Sequence, residues 1–104
     1  EMVRRLDWGS KLYSRVDASV RCERTPSQQI REQLAFTPFP NEDVSRLIDD
    51  SNEDLFLFSS DYPHVEGGRN PIGKFESYLS SSPDQVKDKF YSENFLRLWP
   101  SAAA

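Results

Sequence analysis

The sequence predicts an α/β fold with two parallel strands, at about residues 34–39 and 55–60, and flanking helices. Residues 55–58 are four consecutive large apolar side chains, which is typical of a strand buried on both faces. Residues 34–39 have the composition of a short strand that ends near Pro38. Because a helical pattern separates these two segments, the order strand, helix, strand predicts a right-handed parallel unit.

The helices are predicted from apolar residues that recur with a period of about 3.6. This period predicts helices at residues 2–20, weakened by Gly9, and at residues 42–50, where Asn41 is a suitable N-cap. The polar segment 21–31 has no such period, so we predict a connecting loop there.

Further along the chain, Pro71 can begin a helix that ends near the serine cluster at residues 80–82. A capping-box pattern that starts at Ser82 begins the next helix. Ser92 can cap a last helix, which Pro100 ends. We see no internal repeat and no domain boundary, so the chain is predicted to be a single partial domain over residues 1–104.

Asp61 follows the predicted 55–60 strand directly and is the main candidate for chemistry. Pro63 prevents a helix from following at once, because the residue before a proline prefers an extended conformation. A carboxylate at such a strand end can bind a divalent cation or accept a proton. The alternative is an Asx-type turn, in which the side chain binds backbone two residues further along.

His64 is the single histidine of the chain and lies three residues beyond Asp61. A neutral imidazole at this position could ligate a metal, bind a substrate carboxylate or transfer protons, although histidines more often order a loop. Glu66 and Arg69 follow in the same segment, and solvated surface charge is the simpler interpretation of both.

Three motifs carry a resemblance to a known family. The run Ser60-Asp61-Tyr62-Pro63-His64 resembles the last-strand signature of the amidohydrolase-related metal-dependent hydrolases, which include decarboxylases similar to aminocarboxymuconate-semialdehyde decarboxylase. Residues 93–99 are similar to the Glu-Asn-x-x-x-Leu-aromatic close of that family's final helix. Pro26-Ser27 is similar to an upstream Pro-Ser-Glu element, with Gln28 in place of the glutamate.

This resemblance implies that the chain supplies the C-terminal third of a TIM (β/α)8 barrel, because a whole barrel needs about 250 residues. It implies that Asp61 ligates the catalytic divalent metal, with zinc expected, and takes part in catalysis. It also makes His64 a candidate for contacting the substrate. The family's other metal ligands are histidines with no counterpart in this sequence, so the chain alone is not expected to hold metal tightly.

Composition limits the classes of partner. The 13 Lys and Arg residues are interspersed with 17 Asp and Glu residues, which leaves no basic stripe for nucleic acid. No apolar run approaches the roughly 18 to 20 residues that cross a membrane. Cys22 is the single cysteine and cannot form an internal disulfide, so a reducing compartment, the cytoplasm, is expected.

Two functions from different classes are therefore open. The first is the C-terminal portion of a metal-dependent hydrolase or nonoxidative decarboxylase for small carboxylated substrates, including aromatic ones, which is inactive as an isolated chain. The second is a noncatalytic, truncated α/β domain that acts through protein association. Both predict self-association or a companion chain, because strand edges and apolar faces would otherwise stay exposed.

Overall fold

A computed structural model describes residues 1–103 of this chain as two compact units. The first unit is formed by residues 1–34, and the second begins at Ala35. The single domain predicted from the sequence stays a prediction. Among residues 1–103, no helix combines the length and the apolar character needed to cross a membrane.

The first unit contains helix α1 (Met2–Val16) and helix α2 (Pro26–Gln33), with a 3₁₀ turn (Ala18–Val20) between them. Helix α1 confirms the predicted N-terminal helix but ends before residue 20, because Asp17 leaves the helical conformation and caps the following turn. Asp7 accepts a hydrogen bond of 2.8 Å from the Ser27 N–H, which connects α1 to α2. Ser27 also lowers the pKa of Asp7.

Helix α2 contradicts the predicted loop at residues 21–31. Its start is a complete capping box: Thr25 Oγ1 accepts from the Gln28 N–H, and Gln28 Oε1 accepts from the Thr25 N–H. Pro26 occupies the first helical turn, where a missing N–H has no cost. The capping residues, and not an apolar period, therefore determine where this helix begins.

The second unit consists of short helices. Helix α3 (Val44–Asp49) and helix α4 (Pro71–Tyr78) confirm the helices predicted near these positions, although Asp43 and not Asn41 caps α3. Helix α5 (Asp84–Asp88) continues through a π-helical turn (Lys89–Glu93) into helix α6 (Asn94–Leu98). The prediction of a separate last helix capped by Ser92 was wrong. Ser92 lies within this continuous helix, and its hydroxyl donates to the Asp88 carbonyl.

The predicted α/β class, with parallel strands at residues 34–39 and 55–60 as part of a TIM barrel, was wrong. Residues 1–103 contain no strand, and the two segments share one isolated parallel bridge between Phe36 and Phe56. The Phe36 N–H donates to the Leu55 carbonyl at 2.7 Å, and the Leu57 N–H donates to the Phe36 carbonyl at 2.9 Å.

The bridge does not grow into a sheet because its next donors are missing or already used. A parallel ladder would continue through the backbone N–H of residue 38, which is a proline and has none. In the other direction it would need the Leu55 N–H, which instead donates to the Asn52 carbonyl. The Phe58 N–H donates to Phe90, on the π-helical turn.

The apolar run at residues 55–58 is thus covered by helices and not by neighbouring strands. The Phe58 ring lies at the centre of an aromatic cluster, with ring centroids 5.5 Å from Tyr91, 5.8 Å from Phe75 and 6.3 Å from Phe90. Phe75 and Phe90 are fully buried. Aromatic pairs in such tilted and edge-on arrangements add stability beyond the area they bury.

Because of Tyr91, the stability of this core depends on pH in the alkaline range. Its hydroxyl is buried without a well-formed hydrogen bond among residues 1–103, and burial, followed by the nearby Glu76 carboxylate, raises the pKa of Tyr91. An unfolded tyrosine ionises near pH 10, whereas the folded Tyr91 stays protonated to higher pH. Its contribution to stability is therefore complete below about pH 10 and is lost as the pH rises towards the folded pKa.

We expect the urea midpoint of the wild-type chain to fall between about pH 9 and about pH 11. Tyr91→Phe should remove part of this fall, because phenylalanine has no proton to lose in the unfolded state. Tyr13→Phe, a change at an exposed ring of α1, is the matched control. Equal alkaline losses in both variants would show that Tyr91 does not contribute.

Candidate functional site

Asp61 lies at the end of an extended segment that is attached to the last helix by backbone and side-chain hydrogen bonds. The buried Asn94 side chain donates from Nδ2 to the Glu53 carbonyl at 2.7 Å and to the Phe56 carbonyl at 3.0 Å. The Phe58 N–H donates to the Phe90 carbonyl at 2.8 Å. These contacts hold the segment in place as far as Phe58, which lies three residues before Asp61.

The π-helical turn makes the Phe90 contact possible. In a regular α-helix the Asn94 N–H would bind the Phe90 carbonyl, four residues back. Here the Asn94 N–H binds the Lys89 carbonyl, five residues back. The Phe90 carbonyl accepts from Phe58 instead, and turns of this kind are frequent at functional sites.

An ionic contact supports the start of the same segment. The Lys89 ammonium group donates to Glu53 Oε1 at 2.5 Å and to Asp54 Oδ1 at 2.8 Å. The two carboxylates, Asp54 more than Glu53, raise the pKa of Lys89. Because all three side chains are partly exposed to solvent, the contact adds less to stability than the buried amide does.

The backbone of Asp61 has φ 55°, in the left-handed region that few residues other than glycine adopt. Aspartate tolerates this region better than most residues, and such conformations concentrate at functional sites. The preceding serines complete the turn: Ser59 Oγ accepts from the Asp61 N–H at 3.2 Å, and Ser60 Oγ accepts from the Tyr62 N–H at 3.3 Å. The Tyr62–Pro63 peptide bond is cis.

The Asp61 carboxylate has no donor partner among residues 1–103. The Asx-type turn does not form, because the residue two positions on is Pro63, which has no N–H. Ser59 and Ser60 accept from backbone N–H groups, and neither hydroxyl donates to the Asp61 carboxylate. The half-buried carboxylate therefore keeps its oxygens available to a cation or a proton donor.

Gly67 holds the loop after Asp61 against the segment before it. The His64 N–H donates to the Asp61 carbonyl at 2.8 Å, and a 3₁₀ turn (Val65–Gly67) follows. Gly67 is buried against the Ser60 carbonyl oxygen, where a Cβ atom would collide. The absence of a side chain at this position lets the chain fold back on the Asp61 turn.

The other candidate residues of this loop lie at the surface. His64 follows Asp61 closely through the backbone bond between them, but its side chain is exposed, as are those of Glu66 and Arg69. Cys22 is an exposed free thiol in the first unit. Within residues 1–103, no group of three or more His, Cys, Asp or Glu side chains is arranged to hold a metal ion.

Asn94 has no role predicted from the sequence beyond its place in a motif, yet it is the polar side chain that anchors the Asp61 segment. It is 2% exposed. A signal was present, because Asn94 follows the buried Phe90 by four residues and therefore shares its helix face. A buried amide must bond to polar groups, and here these are the Glu53 and Phe56 carbonyls.

The chain is similar in structure to an amidohydrolase from Mycobacterium avium subsp. paratuberculosis K-10, with 27% sequence identity and a TM-score of 0.71. The similarity covers 92% of this chain and 24% of that protein, so the chain spans about a quarter of its length. Neither a protein-family model nor a curated protein matches the sequence.

Gly67→Ala should destabilise the fold and move the Asp61 turn, because the new methyl group meets the Ser60 carbonyl oxygen. We expect a loss of about 1–3 kcal/mol in the free energy of unfolding, measured by urea titration. Gly9→Ala is the matched control, since a Cβ atom at Gly9 meets open space. It should stabilise α1 by about 0.5–1 kcal/mol, and a similar gain for Gly67→Ala would contradict the close approach.

Proposed function

We propose that this chain is part of a metal-dependent hydrolase of the amidohydrolase kind, in which Asp61 is a ligand of the catalytic metal. The observation that carries the proposal is the Asp61 carboxylate, which lies on an anchored turn with φ 55° and has no donor within residues 1–103. The structural similarity to an amidohydrolase supports the same class of protein. The substrate is a small carboxylated molecule, such as an aromatic acid, and the reaction is hydrolysis or nonoxidative decarboxylation.

The residues present fit one ligand position and not a whole metal site. A carboxylate with free oxygens is a suitable ligand for zinc, but a catalytic zinc site takes about three protein ligands and an open position. Such an ion lowers the pKa of bound water or polarises a substrate oxygen. In this proposal the remaining ligands come from outside residues 1–103, and the isolated chain is inactive.

His64 is the proposed contact for the substrate. Its backbone N–H bonds to the Asp61 carbonyl, and its side chain is exposed, so the imidazole is free to meet a ligand at this turn. A protonated imidazole would pair with a substrate carboxylate, and a neutral one would donate a single hydrogen bond. Asp61 would serve as a proton acceptor in the same site. We place the protein in the cytoplasm, where the exposed thiol of Cys22 would stay reduced.

A metal titration of the 104-residue chain tests the role of Asp61. Paramagnetic Mn²⁺ should broaden the backbone amide signals of residues 59–64 in the wild-type protein, because a bound ion lies close to them. Asp61→Asn should abolish this local broadening, since asparagine tolerates the left-handed backbone but has no charge. Asp84→Asn, in the exposed first turn of α5, is the matched control and should leave it unchanged. Equal broadening in wild type and Asp61→Asn would rule out Asp61 as the ligand.

The second candidate function is noncatalytic association with a companion chain or a second copy. Large apolar side chains at the surface favour it: Tyr62 is 87% exposed, Val65 is 89% exposed and Trp99 is 61% exposed. Burying one such side chain contributes about 1.5–3 kcal/mol, so a few of them can support an interface.

Sedimentation velocity over a range of concentrations tests this association. We expect the wild-type chain to form larger species as the concentration rises, and the double variant Tyr62→Ser with Val65→Ser to form fewer of them. Glu66→Gln, an exposed polar change in the same loop, should behave like wild type. A wild-type chain that stays monomeric at every concentration would contradict self-association.

A further inference from the structure

We propose that Asn94 is a positioning residue for Asp61, and that it sets the conformation of the Asp61 turn without contacting a ligand. The inference rests on the proposed function only where Asp61 is taken as the metal ligand. The conformational part stands on the hydrogen bonds alone and can be tested separately.

The Asn94 side chain uses both of its amide donors. A side-chain amide has two N–H donors, and the structure gives both a backbone carbonyl: Glu53 at 2.7 Å and Phe56 at 3.0 Å. Asn94 is 2% exposed, so neither bond is in competition with solvent. These two carbonyls lie at the start of a 3₁₀ turn (Glu53–Leu55) and directly after its end, where the extended segment begins. Asn94 therefore fixes both the position and the direction of that segment.

Backbone hydrogen bonds beyond Phe56 continue the anchoring towards Asp61. Beyond Phe56, the Leu57 N–H donates to Phe36 and the Phe58 N–H donates to Phe90. After Phe58, the bonds of residues 59–61 are local: the two serine hydroxyls accept from the backbone two residues on, and the Asp61 carbonyl accepts from the His64 N–H. Such local bonds shape a turn but do not place it. On the N-terminal side of Asp61, the placement of the turn is therefore set by the anchors at residues 53–58.

The residue type at position 94 decides whether both hydrogen bonds can form. Aspartate has the shape of asparagine, but its ionised carboxylate cannot donate to a carbonyl. Leucine has a similar volume and no donors, so it would leave both backbone carbonyls buried and unpaired. Serine offers one donor on a shorter side chain and would lose at least one of the two bonds.

Nuclear magnetic resonance of the 104-residue chain supplies a readout that stability alone does not change. A residue with positive φ has its amide proton unusually close to its own Hα, so Asp61 should show a strong intraresidue amide-to-Hα cross-peak. In the folded population of Asn94→Leu we expect this signal to weaken and the Phe58 amide to exchange faster. The Mn²⁺ concentration that half-broadens residues 59–64 should rise about tenfold or more, as for other residues that orient a metal ligand. If Asn94→Leu does not fold, the same measurements on Asn94→Ser decide the question.

Leu79→Ala is the control for a purely structural role. Leu79 is fully buried in the same unit, and its backbone N–H bonds to Phe75 within α4. This variant should lose stability but keep the Asp61 cross-peak and the Mn²⁺ response. An Asn94 variant that is folded and keeps both readouts would overturn the proposal. If the wild-type chain shows the cross-peak but no Mn²⁺ response, the proposed function fails while the conformational role of Asn94 is still decided by the cross-peak.

Discussion

The buried amide of Asn94 is the interaction on which the second unit depends. It bonds to the Glu53 and Phe56 carbonyls, and the π-helical turn before it presents the Phe90 carbonyl to Phe58. In water these backbone groups would be hydrated, so their bonds to the helix are worth only about 0.5–1.5 kcal/mol each. Their larger effect is on the choice of alignment. Any other alignment would leave these backbone groups buried and unpaired, at a higher cost in free energy. The alignment of segment and helix is thus set by polar atoms, and the aromatic cluster around Phe58 stabilises the alignment that they select.

A left-handed aspartate needs support of this kind. A non-glycine residue held in such a conformation costs of order 1–3 kcal/mol and persists only where its surroundings determine it. At Asp61 those surroundings act from both sides: the Phe58 anchor before it, and the buried Gly67 against the Ser60 carbonyl after it. The solvent-exposed contact of Lys89 with Glu53 and Asp54 adds to the first of these, but solvent screens it.

The sequence predicted the helices near α1, α3 and α4, because each has a regular apolar stripe, and Pro71 marks the start of α4. It failed at α2, because this helix has no apolar period and its start depends on the capping box of Thr25 and Gln28. The strand predictions failed for another reason. Apolar residues at 55–58 indicate burial, and burial by helices leaves the same pattern as burial by strands. Pro38 removes the next donor of the parallel ladder, and the π-helical turn that takes the Phe58 N–H has no sequence signal of its own. Asp61 could be selected as a candidate, but the Asx-type turn stayed open as its alternative, although residue 63 is a proline and has no N–H to offer. The anchoring by Asn94 depends on contacts across 38 or more residues, which no local pattern contains.

The support of Asp61 and the completion of a metal site are separate problems in this chain. Every anchor of the Asp61 segment, from Phe36 to Asn94, belongs to the second unit, so the conformation of the turn is determined without the first unit. The proposed metal binding is not determined there, because one carboxylate would give an ion too few ligands. The two requirements therefore respond to different changes. Loss of an anchor would displace the carboxylate in a folded chain, whereas loss of the carboxylate would leave the turn intact, since asparagine can keep the left-handed conformation. If Asp61 is the metal ligand that we propose, a metal-dependent activity depends on ligands supplied from elsewhere, whereas the second unit alone holds the turn that carries Asp61.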